Sequence, residues 1–270
     1  MAQSDAKFVG AIPEIYDRLM VPLMFQQFAE DMAARVAALQ PGAVLETAAG
    51  TGVVTRALAP QLGPKARYVV SDLNPPMLDR ARSLQPADAR LEWLTADALN
   101  LPFDAGTFDA LCCQFGAMFF PDRQKGFGEA RRVLKPGAPM IFNLWDVLEE
   151  NPVILTASEE VTAFFPDNPV DFFRRVPYGY NDDAQIRADL TAAGFHKISI
   201  ERVARKGEAR TAREVAVAIV QGTPIRMEVL ARDPQALDAV TDVAEKAVRD
   251  RYGAGPIVVP LQALVVTAAG

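Results

Sequence analysis

The sequence predicts an α/β fold built on an open, largely parallel sheet, and three observations carry that prediction. Between residues 43 and 145, short β-rich runs alternate with longer helical stretches, the pattern of successive βαβ units. The β-rich runs are aliphatic and aromatic on consecutive residues, as strands buried on both faces must be. The first run leads into LETAAGTGVVT, Leu45 to Thr55, a turn of small residues that opens a helical pattern.

Five strands are expected in this region, at Ala43–Thr47, Arg67–Ser71, Leu91–Thr95, Phe108–Cys113 and Ala138–Trp145. Gly52–Leu62 has helical apolar spacing and stops before Gly63-Pro64. Pro75–Leu84 opens on two prolines, which suit a first helical turn, and places Met77, Leu78 and Ala81 on one face. Asp122–Leu134 starts on a capping residue and ends at Lys135-Pro136-Gly137. The helix expected between the third and fourth strands is short or missing. Residues 12–39 read as two helical pieces separated around Pro22. After Trp145 the alternation stops: residues 146–180 repeat aromatics and prolines, Asp182–Ala193 is amphipathic, His196–Val203 alternates like a strand, 210–252 is helical and Ile257–Ala268 closes as a strand.

Composition narrows the function. A chain of 270 residues, half of them hydrophobic, can bury a sizeable core. A net charge of -6 and a pI near 5.0 argue against binding nucleic acid or an anionic membrane through a basic face. The two cysteines, Cys112 and Cys113, are neighbours and cannot staple distant parts of a fold, which fits a reducing cytoplasm. No signal peptide is read in MAQSDAKFVG, and no run is apolar enough over the length of a bilayer-spanning helix. A small-molecule partner is expected, and a homo-oligomer is possible.

In an open parallel sheet, ligands sit outside the carboxyl ends of the strands, where strand order reverses. Glu46 ends the first strand and runs into Thr47, Ala48, Gly50, Thr51 and Gly52, where small residues let a ligand lie against the backbone. The second strand ends at Asp72, Leu73 and Asn74, and the third at Asp97, Ala98 and Leu99. Asp72 lies 20 residues beyond Gly52, the offset at which a carboxylate in such folds takes a ribose diol. Asp97 is placed to accept from an adenine amine, with Ala98 offering a backbone N–H to a ring nitrogen. Glu46 can order the loop or accept from an ammonium. These positions describe an adenosine with a positively charged tail.

The series LETAAGTG, SDLN, TADALNLPF, FDALCCQFGAMFF and RVLKPGA resembles the motifs of class I S-adenosylmethionine-dependent methyltransferases, most of all the UbiE-like and type 11 small-molecule branch. The resemblance covers about residues 10–145. It implies a Rossmann-like, doubly wound seven-stranded sheet, mostly parallel, whose last strand is antiparallel, with His196–Val203 and Ile257–Ala268 supplying the two late strands. It implies one domain over 1–270, with a cofactor core at 41–145 and a helical cap from 1–40, 146–180 and 205–255. The cofactor implied is S-adenosyl-L-methionine, with S-adenosyl-L-homocysteine as product. Glu46, Ala48, Gly50 and Gly52 border its methionine part, Leu73 and Met77 lie beside the adenine, Gln114 and Phe115 stand near the sulfonium, and Tyr16 closes over the carboxylate. This chain departs from the family at Ala48, where a glycine is usual.

A nicotinamide-dependent oxidoreductase uses a similar loop and acid, but counting from Gly50 the third small position of its fingerprint falls on Thr55, and it needs neither Asp97 nor the LKPG turn. A SAM-binding regulatory protein without transfer activity would carry the same cofactor motifs. His196, the single histidine, falls at a late strand edge, away from the ligand. Cys112 and Cys113 read as small core residues, and no zinc constellation is present in the sequence. Most of the aromatics read as core; Phe115 and the 164–173 group fall where a lid over an apolar acceptor belongs. No catalytic base is assigned, because a sulfonium methyl is already activated.

Overall fold

The computed structural model describes residue 8 and residues 10–270, so most of the amino-terminal stretch read for a targeting signal lies outside the described residues. Seven strands form one sheet: β1 (Ala43–Glu46), β2 (Arg67–Asp72), β3 (Leu91–Thr95), β4 (Ala110–Gln114), β5 (Met140–Trp145), β6 (Lys197–Ala209) and β7 (Ile257–Ala269). Their order is β3-β2-β1-β4-β5-β7-β6. β1 pairs in parallel with β2 on one side and β4 on the other, so strand order reverses at the carboxyl ends of β1 and β4. β2 with β3 and β4 with β5 are also parallel, whereas β7 runs antiparallel to β5. This is the Rossmann-like sheet the sequence predicts.

The central strands form where apolar residues run consecutively: Val44, Leu45, Tyr68, Val70, Leu111, Cys112, Phe142 and Leu144 are fully buried. β4 starts two residues later than the pattern predicts. Phe108 makes only an isolated bridge to Leu134, and the Asp109 carboxylate accepts from the Gly42 and Ala43 N–H groups and from Lys135, so a side chain pins this strand entry. The helix Val53–Leu58 tightens into a 3₁₀ turn at Ala59–Gln61, because Pro60 cannot donate to the next turn. The helices Pro75–Leu84 and Arg123–Val133 form as predicted, the second capped by Asp122, whose carboxylate accepts from Lys125 N–H.

No helix stands between β3 and β4. The connection is held instead by the helix Arg123–Val133: Arg132 donates to the carbonyls of Phe103 (2.6 Å) and Leu101 (2.9 Å), and Glu129 accepts from Leu101 N–H. Pro22 does not split the amino-terminal helix. Residues Tyr16–Phe25 widen into a π-helix, in which Gln26 N–H donates to Val21 five residues back, and α-helix resumes over Gln26–Ala38. The wider turn accommodates a residue that has no N–H and whose ring would crowd the carbonyl four residues earlier.

The fold divides into two compact units. One comprises the described part of Met1–Gln27 with Asp146–Gly179 and Ala204–Gln262; the other comprises Phe28–Trp145, Tyr180–Val203 and Ala263–Gly270. The first is mainly helical, with helices Pro152–Phe164, Ala212–Gln221 and Leu237–Tyr252 packed through Val153, Ala157, Val215, Ile219, Val240 and Ala244. The second holds β1 to β5 and their helices. No helix among the described residues is long and apolar enough to cross a membrane.

Candidate functional site

The site is built where β1 ends. Thr47 N–H extends the ladder to Cys112, and at Ala48 the backbone turns left-handed, φ 53°. Ala49 N–H then donates to Ser71, and Gly52 N–H to Ala49. Gly50 (φ 57°) and Gly52 (φ 77°) are also left-handed, where a side chain is strained, and at Gly52 a Cβ would lie 2.9 Å from Ala81 Cβ. Within this turn Thr51 is buried, and among the described residues its Oγ1 has no hydrogen-bond partner. A buried, unpaired hydroxyl inside a glycine cradle is the feature a polar ligand group would satisfy.

Two carboxylates brace the cradle differently. Glu46 is 1% exposed and accepts from Thr55 Oγ1 at 2.7 Å and from the Tyr68 hydroxyl. Burial pushes its carboxyl up to about 7, more than the two hydroxyls lower it. Its backbone carbonyl takes Ser71 Oγ. Its side chain is thus committed to ordering β1, β2 and the following helix. Asp72, also buried, accepts from Gly50 N–H (2.8 Å) through one oxygen and from Asn74 N–H (2.7 Å) through the other. Burial raises its carboxyl despite those N–H groups. It ties the turn after β1 to the turn after β2, and Asn74 Nδ2 lies 3.3 Å from it.

Around this pair, Leu73 is held 54% exposed at the strand end, and Met77 is buried with its Cε 3.7 Å from where a Gly50 Cβ would stand. Ala96 N–H donates to the Asp72 carbonyl, which brings the third strand end alongside. There Asp97 is exposed and accepts from Leu99 N–H at 2.9 Å, with Ala98 and Leu99 half-buried. Gln114 closes β4, half-buried. Phe115 also turns left-handed, φ 49°, and its buried ring stacks on Trp145 at 3.9 Å with Phe28 edge-on to both. Among the lid aromatics of the sequence reading, Phe115 is therefore a core ring at the strand end.

The structure thus gathers Glu46, Thr47, Ala48, Gly50, Thr51, Gly52, Asp72, Leu73, Asn74 and Met77 at one strand-end cluster, joined by Asp97–Leu99 and by Gln114 and Phe115. Tyr16 belongs to the helical unit, where it stacks on Phe25 at 5.1 Å. Phe172 and Phe173 are buried in that same unit and, with Thr162, Val170, Arg174 and Ile225, line a cleft of about 280 Å³. Cys112 and Cys113 are free and buried, and burial lifts Cys113 to about 11, so neither thiol is an activated nucleophile. His196 is exposed.

Sequence reasoning missed Tyr68, Asn143 and Gly116. Tyr68 lies two residues before Val70, the register partner of Glu46, a relation that only the sheet creates. Asn143 was visible as the one polar residue of MIFNLW.

Residues 44–137 match the family described as "Methyltransferase domain". The chain is 40% identical over 122 residues to a demethylmenaquinone methyltransferase of Thermus thermophilus, covering 44% of this chain and 53% of that one. It is 27% identical over 178 residues to the ubiquinone/menaquinone biosynthesis C-methyltransferase UbiE of Idiomarina loihiensis, covering 59% and 68%. The match thus spans about half the length of the Thermus relative. In fold it is similar to phosphoethanolamine N-methyltransferase 2 of Haemonchus contortus, solved with S-adenosyl-L-methionine, with a TM-score of 0.59 at 19% identity over 96% of this chain and 56% of that one.

The sheet order and the match over residues 44–137 support a class I S-adenosylmethionine-dependent methyltransferase domain. Within that class it is similar to the demethylmenaquinone and UbiE methyltransferases. The cofactor of this class is S-adenosyl-L-methionine, and the residues present fit it: a left-handed glycine cradle with an unpaired Thr51 hydroxyl, a buried acid at Asp72 and an exposed apolar side chain at Leu73.

Proposed function

We propose that this protein transfers a methyl group from S-adenosyl-L-methionine to a small, partly apolar acceptor of the quinone or phenol class. The observation that carries the reading is the cradle at Ala48–Gly52, with its unpartnered Thr51 hydroxyl and its tie to Asp72. In this assignment Thr47, Ala48, Gly50, Thr51 and Gly52 hold the methionine part, and Glu46 borders it through the turn that its side chain orders. Asp72 takes the ribose diol through the lone pairs its N–H partners leave, while Leu73, Asn74 and Met77 cover one adenine face. Asp97, Ala98 and Leu99 read the adenine edge, Gln114 and Phe115 border the sulfonium, and Tyr16 closes over the carboxylate.

The bound cofactor supplies an activated methyl group. The chain contributes by holding the acceptor in line and excluding water, and an acid–base residue is required only for an acceptor that must lose a proton. The acceptor class is supported by the names of the relatives and by the chain's net charge of -6, which disfavours nucleic acid. The domain core is taken as 41–145, with residues 1–40, 146–180 and 205–255 as a helical cap that selects the acceptor and the cytoplasm as the compartment.

The test is incubation of the full chain with S-adenosyl-L-methionine and a panel of quinols, phenols and lipid-like acceptors, with S-adenosyl-L-homocysteine measured by chromatography. Acceptor-dependent product is expected. Cofactor binding without turnover on any acceptor would favour a regulatory SAM-binding role. Tyr16→Ala should weaken cofactor binding several-fold in calorimetry; unchanged affinity would remove Tyr16 from the site.

A further inference from the structure

All six side chains of β5, MIFNLW, are buried, so Asn143 is a lone amide in an apolar strand. A buried amide is costly unless it is hydrogen-bonded, and a residue that breaks the local pattern in this way needs a reason. Both of its ends point at the place where β4 stops. Its Oδ1 accepts from Phe115 N–H at 2.9 Å, its own carbonyl lies 3.2 Å from the same N–H, and its Nδ2 lies 3.5 Å from Gln114 Oε1.

Phe115 is the residue with the unusual backbone. A bulky side chain at φ 49° persists only where its surroundings over-determine it. Asn143 takes the N–H, Trp145 stacks on the ring at 3.9 Å, and Phe28 packs edge-on at 5.4 Å. The next residue must then be glycine, since a Cβ on Gly116 would lie 2.4 Å from Ala48 Cβ and 2.8 Å from Cys113 Sγ. The turn after β4 is seated directly against Ala48, the left-handed residue that opens the turn after β1.

We propose that Asn143 is a positioning residue for the methyl donor: by holding Gln114 and Phe115 in the left-handed turn that seats Gly116 on Ala48, it sets the shape of the donor site between the two strand ends. It acts through Phe115 and Gln114. The inference rests on the cofactor assignment above.

Calorimetric titration of the full chain with S-adenosyl-L-homocysteine, well below the melting transition, tests both readings separately. Absence of binding by the wild type would overturn the cofactor assignment and this inference with it. Where the wild type binds, Asn143→Leu, which keeps the volume and removes both polar ends, should raise Kd about tenfold or more with a native circular dichroism spectrum, and Asn143→Asp, which keeps an acceptor for Phe115 N–H, should stay within about threefold of the wild type. A Leu variant with a lower melting temperature and an unchanged Kd would show a purely structural role and overturn the proposal, as would equal weakening by both variants. If Asn143→Leu does not fold, hydrogen exchange of the wild type decides: the 114–120 segment should exchange more slowly with S-adenosyl-L-homocysteine bound, and unchanged exchange would overturn the proposal.

Discussion

Glu46 shows how a strand-end acid becomes a structural one. Its carboxyl titrates near 7 instead of 4.5 because burial opposes the charge. The folded chain therefore keeps a proton there that the unfolded chain releases, so the stabilisation is complete below pH 4.5 and is lost as pH rises through 7. A shift of that size corresponds to roughly 3 kcal/mol. Relative to Glu46→Gln, the wild type should lose about that much unfolding free energy between pH 4.5 and about pH 8 in urea titrations; parallel pH profiles would refute the linkage. Ala48, the departure from the family pattern, is accommodated by the missing side chain of Gly116. Gly116→Ala should destabilise by about 1–3 kcal/mol, and Ala48→Gly in the same chain should recover a large part of that, since it removes the opposing methyl and a strained left-handed residue. An additive double-mutant cycle would show that the two residues do not compensate.

At the scale of elements, the turns after β1 and β2 are coupled through one side chain. Asp72→Ala would leave Gly50 N–H and Asn74 N–H without their acceptor, costing about 1–3 kcal/mol of stability, and should also weaken S-adenosyl-L-homocysteine binding. Denaturant titration and calorimetry separate the two effects, and undiminished affinity would move the ribose elsewhere. The strand and helix periods were legible because a parallel sheet demands continuous apolar runs, and β3 and the helix Pro75–Leu84 have the bounds their composition predicts. Other elements were not legible, for local reasons. Pro22 is a helix breaker by rule, yet π-winding absorbs it, and β6 continues to Ala209 well past its alternating start.

For the whole molecule, the cofactor assignment predicts a thermal shift. A saturating ligand at about 100 times its Kd stabilises the native state by roughly 3 kcal/mol, so S-adenosyl-L-methionine or S-adenosyl-L-homocysteine should raise the melting temperature by several degrees while NADH leaves it unchanged. The opposite pattern would sink the assignment. Taken alone, the amino-acid order determined the α/β class, the strand-end position of each acid and the small-residue turn, because these depend on residue type and spacing along the chain. The tertiary structure decided which way those residues face. Only the sheet register brings Tyr68 onto Glu46 and turns that acid inward, and only the pairing of β4 with β5 lets Asn143 hold Phe115 and seat Gly116 against Ala48. Such relations join residues far apart in sequence, and local periodicity carries no record of them.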